Sequence, residues 1–402
     1  MTAAEAWTVP QAPDSAEGHL RRQILTLDTD NIADLATKAG QLEDVITLWY
    51  GEGDVVTPPF IREAATRALD AGQTFYVPNM RGYGPLNEAL SAYQTRIHGR
   101  PIAVERSTVT PGGMQALLIA MEMVCDAGDN VVYIEPQWPN IRRVIHLVGG
   151  EPRAVPLDID GADLSLDLDR VFDACDEKTR AIFLSTPSNP SGWTATQAEL
   201  QALLDFSRER GIWIVSDEVY NRLWFGEGLS APSMREICED EDLVLTINTF
   251  SKAWAMTGWR IGWLGHPVSC AARVAAMTQY INSGTAAFVQ AGAAAALNEG
   301  EDFVASMRER CRAGRDAAYE ALERINSVVL PAKPPGGMYA FFRIEGQDDA
   351  REACGMILEK ARVGLAPGFM FGDASRAFLR MCVCREEAQV REASERIARA
   401  LA

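Results

Sequence analysis

The chain has 402 residues, 47% hydrophobic and 23% charged, the balance of a globular protein long enough for two or three domains. A formal net charge of −17 argues against a nucleic-acid partner or an anionic membrane surface, though not against a local basic pocket. The 8 Cys form no CxxC pair and the 4 His are scattered, so no metal site is expected.

Residues 1–18 carry acids and Pro without an apolar core and read as a mobile arm rather than a signal peptide. No later apolar run is long enough to span a membrane. Free thiols without an export signal point to the cytoplasm. Residues 19–39 read as helical, and no DNA-binding helix-turn-helix domain fits ahead of residue 46. Residues 46–50 read as a strand running into the glycine turn Gly51-Glu52-Gly53. Residues 60–71 predict a helix with Ile61, Ala64, Ala65 and Ala68 on one face. Tyr76 precedes a loop rich in Pro and Gly that ends at Gly84-Pro85.

From residue 105 to 265, short apolar runs alternate with helical patterns, which predicts a mostly parallel doubly wound sheet. The first run ends in Gly112-Gly113-Met114, where a helix begins. Its free N–H groups favour an anion. The next run ends near Trp138, and another ends at Asn189-Pro190-Ser191-Gly192. A further run ends in Asp217-Glu218-Val219-Tyr220. Asp217 thus stands at a strand's carboxyl end, where open α/β sheets place their ligands, or else caps the following helix.

The most informative stretch comes after the run at 243–247. Lys252 lies between Thr249 and Ser251 on one side and Arg260 on the other, with Gly258 and Gly262 permitting a tight turn. An amine can form a Schiff base with a carbonyl, and hydroxyls with a planar guanidinium can hold a phosphate. Together they suit a cofactor carrying both an aldehyde and a phosphate, which is pyridoxal phosphate. Beyond it, residues 271–298 predict two helices broken near Ser283-Gly284, and 303–322 a long amphipathic helix. Residues 334–339 lead a strand, 363–372 read as a loop, and 377–383 as a strand holding one charge, Arg380. An Arg there needs an anionic partner, either a ligand or an internal acid. Cys382 and Cys384 read as buried thiols.

Ser251-Lys252, Met256, Gly258, Arg260 and Gly262 together resemble the cofactor-lysine motif of the class I/II pyridoxal-phosphate-dependent aminotransferases, the aspartate aminotransferase fold type. Further matches extend the resemblance from Leu48 to Arg380. It implies a large cofactor domain at 51–300 and a smaller α/β domain built from 19–50 and 301–402, behind the arm at 1–18. It implies that Lys252 holds pyridoxal phosphate, that Asp217 pairs with the ring nitrogen, and that Tyr220 and Asn189 bond the ring oxygen. Trp138 would lie flat against the ring, where most members carry Tyr or Phe. Gly112, Gly113, Met114, Thr249, Ser251 and Arg260 would surround the phosphate. Many members place a hydroxyl in this turn, where Gly113 and Met114 offer backbone only. Tyr76 would reach the phosphate of the neighbouring subunit, making a homodimer with shared sites. Gly51, Asn189 and Arg380 would meet the substrate, Arg380 through its α-carboxylate.

The implied reaction moves the amino group of an L-amino acid to a 2-oxo acid in two half-reactions. A pyridoxal-phosphate lyase, racemase or oxidase would use the same groups. A non-catalytic scaffold would be expected to have lost Lys252, and scattered histidines disfavour a metal enzyme. The amino donor is not given by these motifs. A dicarboxylate substrate needs a second cation, for which Arg81, Arg142, Arg143 and Arg222 are available and unranked.

Overall fold

The computed structural model describes residues 15–27, 32–160 and 163–401. Of the expected N-terminal arm, residues 1–14 lie outside the described part.

Seven strands form the main sheet: β1 (Ser107–Thr110), β2 (Asn130–Glu135), β3 (Glu151–Pro156), β4 (Thr179–Ser185), β5 (Trp213–Asp217), β6 (Val244–Thr249) and β7 (Gly262–Gly265). Their order is β1-β7-β6-β5-β4-β2-β3. From β3 through β2, β4 and β5 to β6 every pairing is parallel. Only β7 runs against its neighbours, between β6 and β1. The strands read as unbroken apolar runs because both faces are covered. Val131, Tyr133, Phe183, Val215 and Leu245 turn to one face, against helix α1 (Gly113–Val124). Their neighbours Val132, Ile134, Ile182, Ile214 and Val244 turn to the other, where Leu200, Leu203 and Leu204 of the helix Gln197–Arg210 cover them. This is the mostly parallel, doubly wound sheet the alternation predicts.

A second core is built from both ends of the chain. Strands β8 (Tyr339–Ile344) and β9 (Phe378–Cys382) pair antiparallel at its centre, flanked by Val328–Val329 and Ala366–Pro367. Leu35, Ile46 and Leu48 from the N-terminal part share this core with Ile357, Leu379, Met381 and Ile397. Helix α2 (Glu301–Leu322) links the two cores. Its Val304 packs with Trp254, and its Ala317, Ala318 and Leu322 pack in the second core.

Two expectations need correction. Residues 363–372 are not simply a loop: Val363–Gly364 pairs with Ile46–Thr47, and Ala366–Pro367 pairs with β9. Strands of two residues containing Gly or Pro leave no period-two signal. Residues 19–39 are helical only in part, and 28–31 lie outside the described residues. A single 3-10 turn (Ala16–His19) and the short helices Arg22–Leu25 and Ala33–Ala39 stand there. Leu20, Ile24 and Leu25 stay exposed, so the first part has no buried stripe to hold a longer helix. Among the described residues no helix is long and apolar enough to cross a membrane.

Candidate active site

A cavity of about 390 Å³ opens where β4, β5 and β6 end, beside the first turn of α1 and against the second core. Ser185, Asp217 and Thr249 reach it as the last residues of those three strands. Lys252 and Arg260 enter from the loop after β6, and Arg380 from β9. The chain is acidic overall, yet three cations and one acid line this space among the described residues.

Lys252 Nζ donates to the Gly51 carbonyl at 2.6 Å and stands 5.8 Å from the centre of the Tyr220 ring. Burial holds the amine's pKa below the usual lysine value. A lowered pKa favours the neutral, nucleophilic form. A Cβ on Gly51 would stand 2.1 Å from the Tyr339 hydroxyl, so any larger residue here would displace the Tyr339 side chain.

Asp217 is 7% exposed, and its Oδ1 accepts from the Val219 N–H at 3.2 Å. No helix follows for it to cap: the next one begins at Met234. Among the described residues it forms no ion pair, and burial pushes its carboxyl up to about 7. A buried acid without a cation is costly unless a ligand supplies one.

The phosphate-type groups also meet. Thr249 Oγ1 and Ser251 Oγ are 2.9 Å apart. Arg260 adopts a left-handed backbone (φ 52°) and is pinned through Nη1 to the Thr257 carbonyl at 2.7 Å. That places its Nη2 only 2.6 Å from where a Cβ on Gly112 would be, so Gly112 (φ 85°) leaves room for the guanidinium. Gly112 precedes α1 and offers no side-chain cap, so the first N–H groups of α1 remain for a ligand. Met114 lines the cavity, and its sulfur lies 3.3 Å from Asn140 Nδ2.

Arg380 is 6% exposed and has no acidic partner among the described residues. Its Nη1 donates to Asn189 Oδ1 at 2.8 Å and its Nη2 to the Trp49 carbonyl, while its Nε has no partner. The guanidinium lies 4.4 Å from the ring centre of Tyr339 and 4.7 Å from that of Phe371. Among the described residues it is held by neutral groups only and has no internal counter-charge, so it can pair with an anion. The bond to Arg380 uses the Asn189 oxygen, so the amide nitrogen remains as a donor.

Tyr220 and Tyr339 share a hydrogen bond of 2.8 Å. Burial raises both phenols, Tyr220 well above its usual value and Tyr339 to about 12, so both stay protonated at neutral pH. Trp138 lines the cavity, and Gly113 does too. Tyr76 does not: its side chain is 82% exposed and outside this chain's cavity. Of the four candidate second cations, none lines the cavity among the described residues. Cys382 and Cys384 are free and buried, as their apolar strand suggests.

Sequence reasoning missed Tyr339 and Phe371. Tyr339 follows the Gly336-Gly337 turn, which was a visible signal without a role. Phe371 is placed by tertiary contact: its carbonyl accepts from the Gln137 N–H at 2.8 Å, and the next residue, Gly372 (φ 125°), leaves space for the Glu135 carboxyl.

The residues present fit pyridoxal phosphate on the structure's own terms. An unpaired buried acid, a free amine with lowered pKa, and a hydroxyl–guanidinium–helix cradle share one cavity. Comparisons with known proteins agree. Residues 43–397 match the family described as aminotransferase class I and II. The chain is 33% identical over 370 residues to a probable aspartate/prephenate aminotransferase of Aquifex aeolicus, covering 89% of this chain and 91% of that one. It is 30% identical to aromatic-amino-acid aminotransferase 2 of Thermococcus litoralis, covering 95% and 98%. The crystal structure of an aspartate aminotransferase from Thermotoga maritima superposes with a TM-score of 0.87 at 29% identity, covering 94% of this chain and 99% of that one. The chain belongs to the class I and II aminotransferases, enzymes that use pyridoxal phosphate.

Proposed function

Proceeding from that membership, we propose that this cavity moves the amino group of an L-amino acid to a 2-oxo acid, with Lys252 and Arg380 as its two working ends. The observation that carries the reading is the unpaired Arg380 in the same cavity as a buried, low-pKa Lys252. The bound cofactor supplies an electron sink, and the protein supplies orientation and proton transfer.

Asp217 would hold the cofactor's ring nitrogen, Tyr220 and Asn189 its ring oxygen, and Trp138 its face. Ser251, Thr249, Arg260 and the N–H groups of Gly113 and Met114 would hold its phosphate. Lys252 Nζ would anchor the aldehyde and, once displaced, take the proton from the substrate Cα as general base. Its bond to the Gly51 carbonyl keeps the amine at the substrate side of the cavity. Arg380 would bind the substrate α-carboxylate through its fork, with Asn189 and Trp49 fixing the guanidinium plane. Residues 51–300 act as the cofactor-binding part and 19–50 with 301–402 as the smaller one, so the cavity lies where they meet.

The exposed Tyr76, together with exposed Phe75 and Tyr280, supports a homodimer in which Tyr76 reaches the neighbour's phosphate. Mixing Tyr76→Phe with Lys252→Ala subunits tests it. A hybrid keeps one site with both residues intact, whereas a fully active monomer would end the shared-site reading. We place the enzyme in the cytoplasm on its free thiols.

The reaction test is a single half-reaction. Amino acid added to holoenzyme without an acceptor should release one 2-oxo acid per site and no ammonia. Ammonia release would favour a lyase or oxidase.

A further inference from the structure

The cavity is chemically divided. Much of its polar lining comes from the ends of β4 to β6 and the loop after β6, joined by Asn189, Tyr220, Tyr339 and Arg380. The lining from the second core is largely apolar: Ile32, Trp49, Met370 and Phe371, with Tyr50 beside them. Among the described residues the only lining cations are Lys252, Arg260 and Arg380, and each already has a task in the amino-transfer reading. The other arginines that could read a second carboxylate are elsewhere. Arg81 Nη1 donates to the Val104 carbonyl at 3.1 Å. Arg222 is bound by Glu301 and by the Tyr93 hydroxyl at 3.1 Å. Arg142 and Arg143 do not line the cavity.

We infer that the substrate side chain lies against this apolar wall, and that the preferred substrate is a monocarboxylic amino acid with a large uncharged side chain, an aromatic ring fitting best. The inference rests on the amino-transfer reading of the same cavity. Trp49 and Phe371 tie the wall to the carboxylate anchor. The Trp49 carbonyl receives Arg380 Nη2, and the Phe371 ring stacks on the guanidinium. A substrate held by Arg380 therefore begins next to aromatic surface. An aromatic side chain gains from burial there and from the offset or edge contacts rings prefer. A second carboxylate would lose its water and meet no further cation among the described lining residues, so it is rejected rather than merely unrewarded.

Three unreactive acids test this on holoenzyme, read as the shift of cofactor absorbance on binding: propanoate, 3-phenylpropanoate and succinate. The expected result is that 3-phenylpropanoate binds at least roughly tenfold tighter than propanoate, the effect of burying one aromatic side chain. Succinate should bind no tighter than propanoate. Succinate binding tighter than 3-phenylpropanoate would overturn the inference, because a cation from elsewhere, the partner subunit included, would then complete the wall. The half-reaction separates this from the reading beneath it. If the acids rank as expected but no amino acid releases a 2-oxo acid, amino transfer fails and the pocket assignment stands. If amino acids react but aspartate outpaces phenylalanine, amino transfer stands and the pocket assignment falls.

Discussion

The two walls of the cavity were made by different means. The polar wall is a set of strand ends: Ser185, Asp217 and Thr249 finish parallel neighbours, and Lys252 and Arg260 come within one loop after them. The sheet fixes the spacing of the strand ends, and the short loop after β6 places the two cations beside them. The apolar wall is assembled from Ile32, Trp49, Met370 and Phe371, drawn from well-separated stretches of sequence. Only the closing of the second core brings them together. In the proposed reading the first wall carries the chemistry and the second sets the choice of side chain.

The largest effect is expected on the polar side. Lys252→Ala removes the amine proposed to anchor the cofactor and to carry the proton. Turnover should fall by about 10²–10⁴ or more, while the melting temperature holds. Steady-state rates with a melting curve check it, and a surviving rate within about tenfold of wild type would contradict it.

Asp217 has a cost as well as a use, and its sign can be worked out. Its carboxyl is raised to about 7 in the cofactor-free cavity, above the unfolded value of about 3.9. The protonated folded form is favoured below the unfolded pKa, and that advantage is lost as pH rises through about 7. Above this window the folded chain holds an unpaired buried charge. Asp217→Asn should thus raise the melting temperature of the cofactor-free protein at about pH 8, by roughly a few degrees. The same change should weaken cofactor binding by ~2–5 kcal/mol, the usual cost of truncating a buried charge pair. Scanning calorimetry and cofactor titration read the two effects, and a destabilised apoprotein would refute the unpaired charge.

Arg380 stands where the two walls meet. Arg380→Lys keeps the charge but loses the planar fork. Apparent affinity for both amino and oxo acid should fall by ~1.5–3 kcal/mol, with cofactor binding unchanged. Loss of stability with affinity intact would instead make Arg380 a structural residue. The smallest effect is expected at Tyr339→Phe, which removes the hydrogen bond to Tyr220. About 0.5–1.5 kcal/mol is at stake. It should appear as a shift in the pH at which the bound cofactor's absorbance changes, with little change in stability.

The sheet and its polar wall were legible because local rules suffice there. Apolar runs such as 181–184 announce buried strands, and a charged or hydroxyl residue at the end of such a run stands out. Arg380 was legible for the same reason, as a lone charge between Leu379 and Met381. The apolar wall was not. Phe371 and Met370 lie in a stretch read as a loop, and an aromatic residue in a loop looks like any packing residue. Tyr339 was hidden differently. It occupies a strand where an aromatic residue needs no explanation, and only the contact with Gly51 and Tyr220 gives it a role. The helical reading of 19–39 holds for Arg22–Leu25 and Ala33–Ala39 but not for the described residues around them, because composition alone does not mark where a short helix stops.

All of the proposed chemistry depends on Lys252 being the residue that holds the cofactor. Borohydride reduction of the holoenzyme, followed by digestion and mass spectrometry, tests this without any knowledge of the substrate. One labelled peptide is expected, carrying the reduced cofactor on Lys252. A label on any other lysine, or no label on a protein that has bound pyridoxal phosphate, would contradict the assignment.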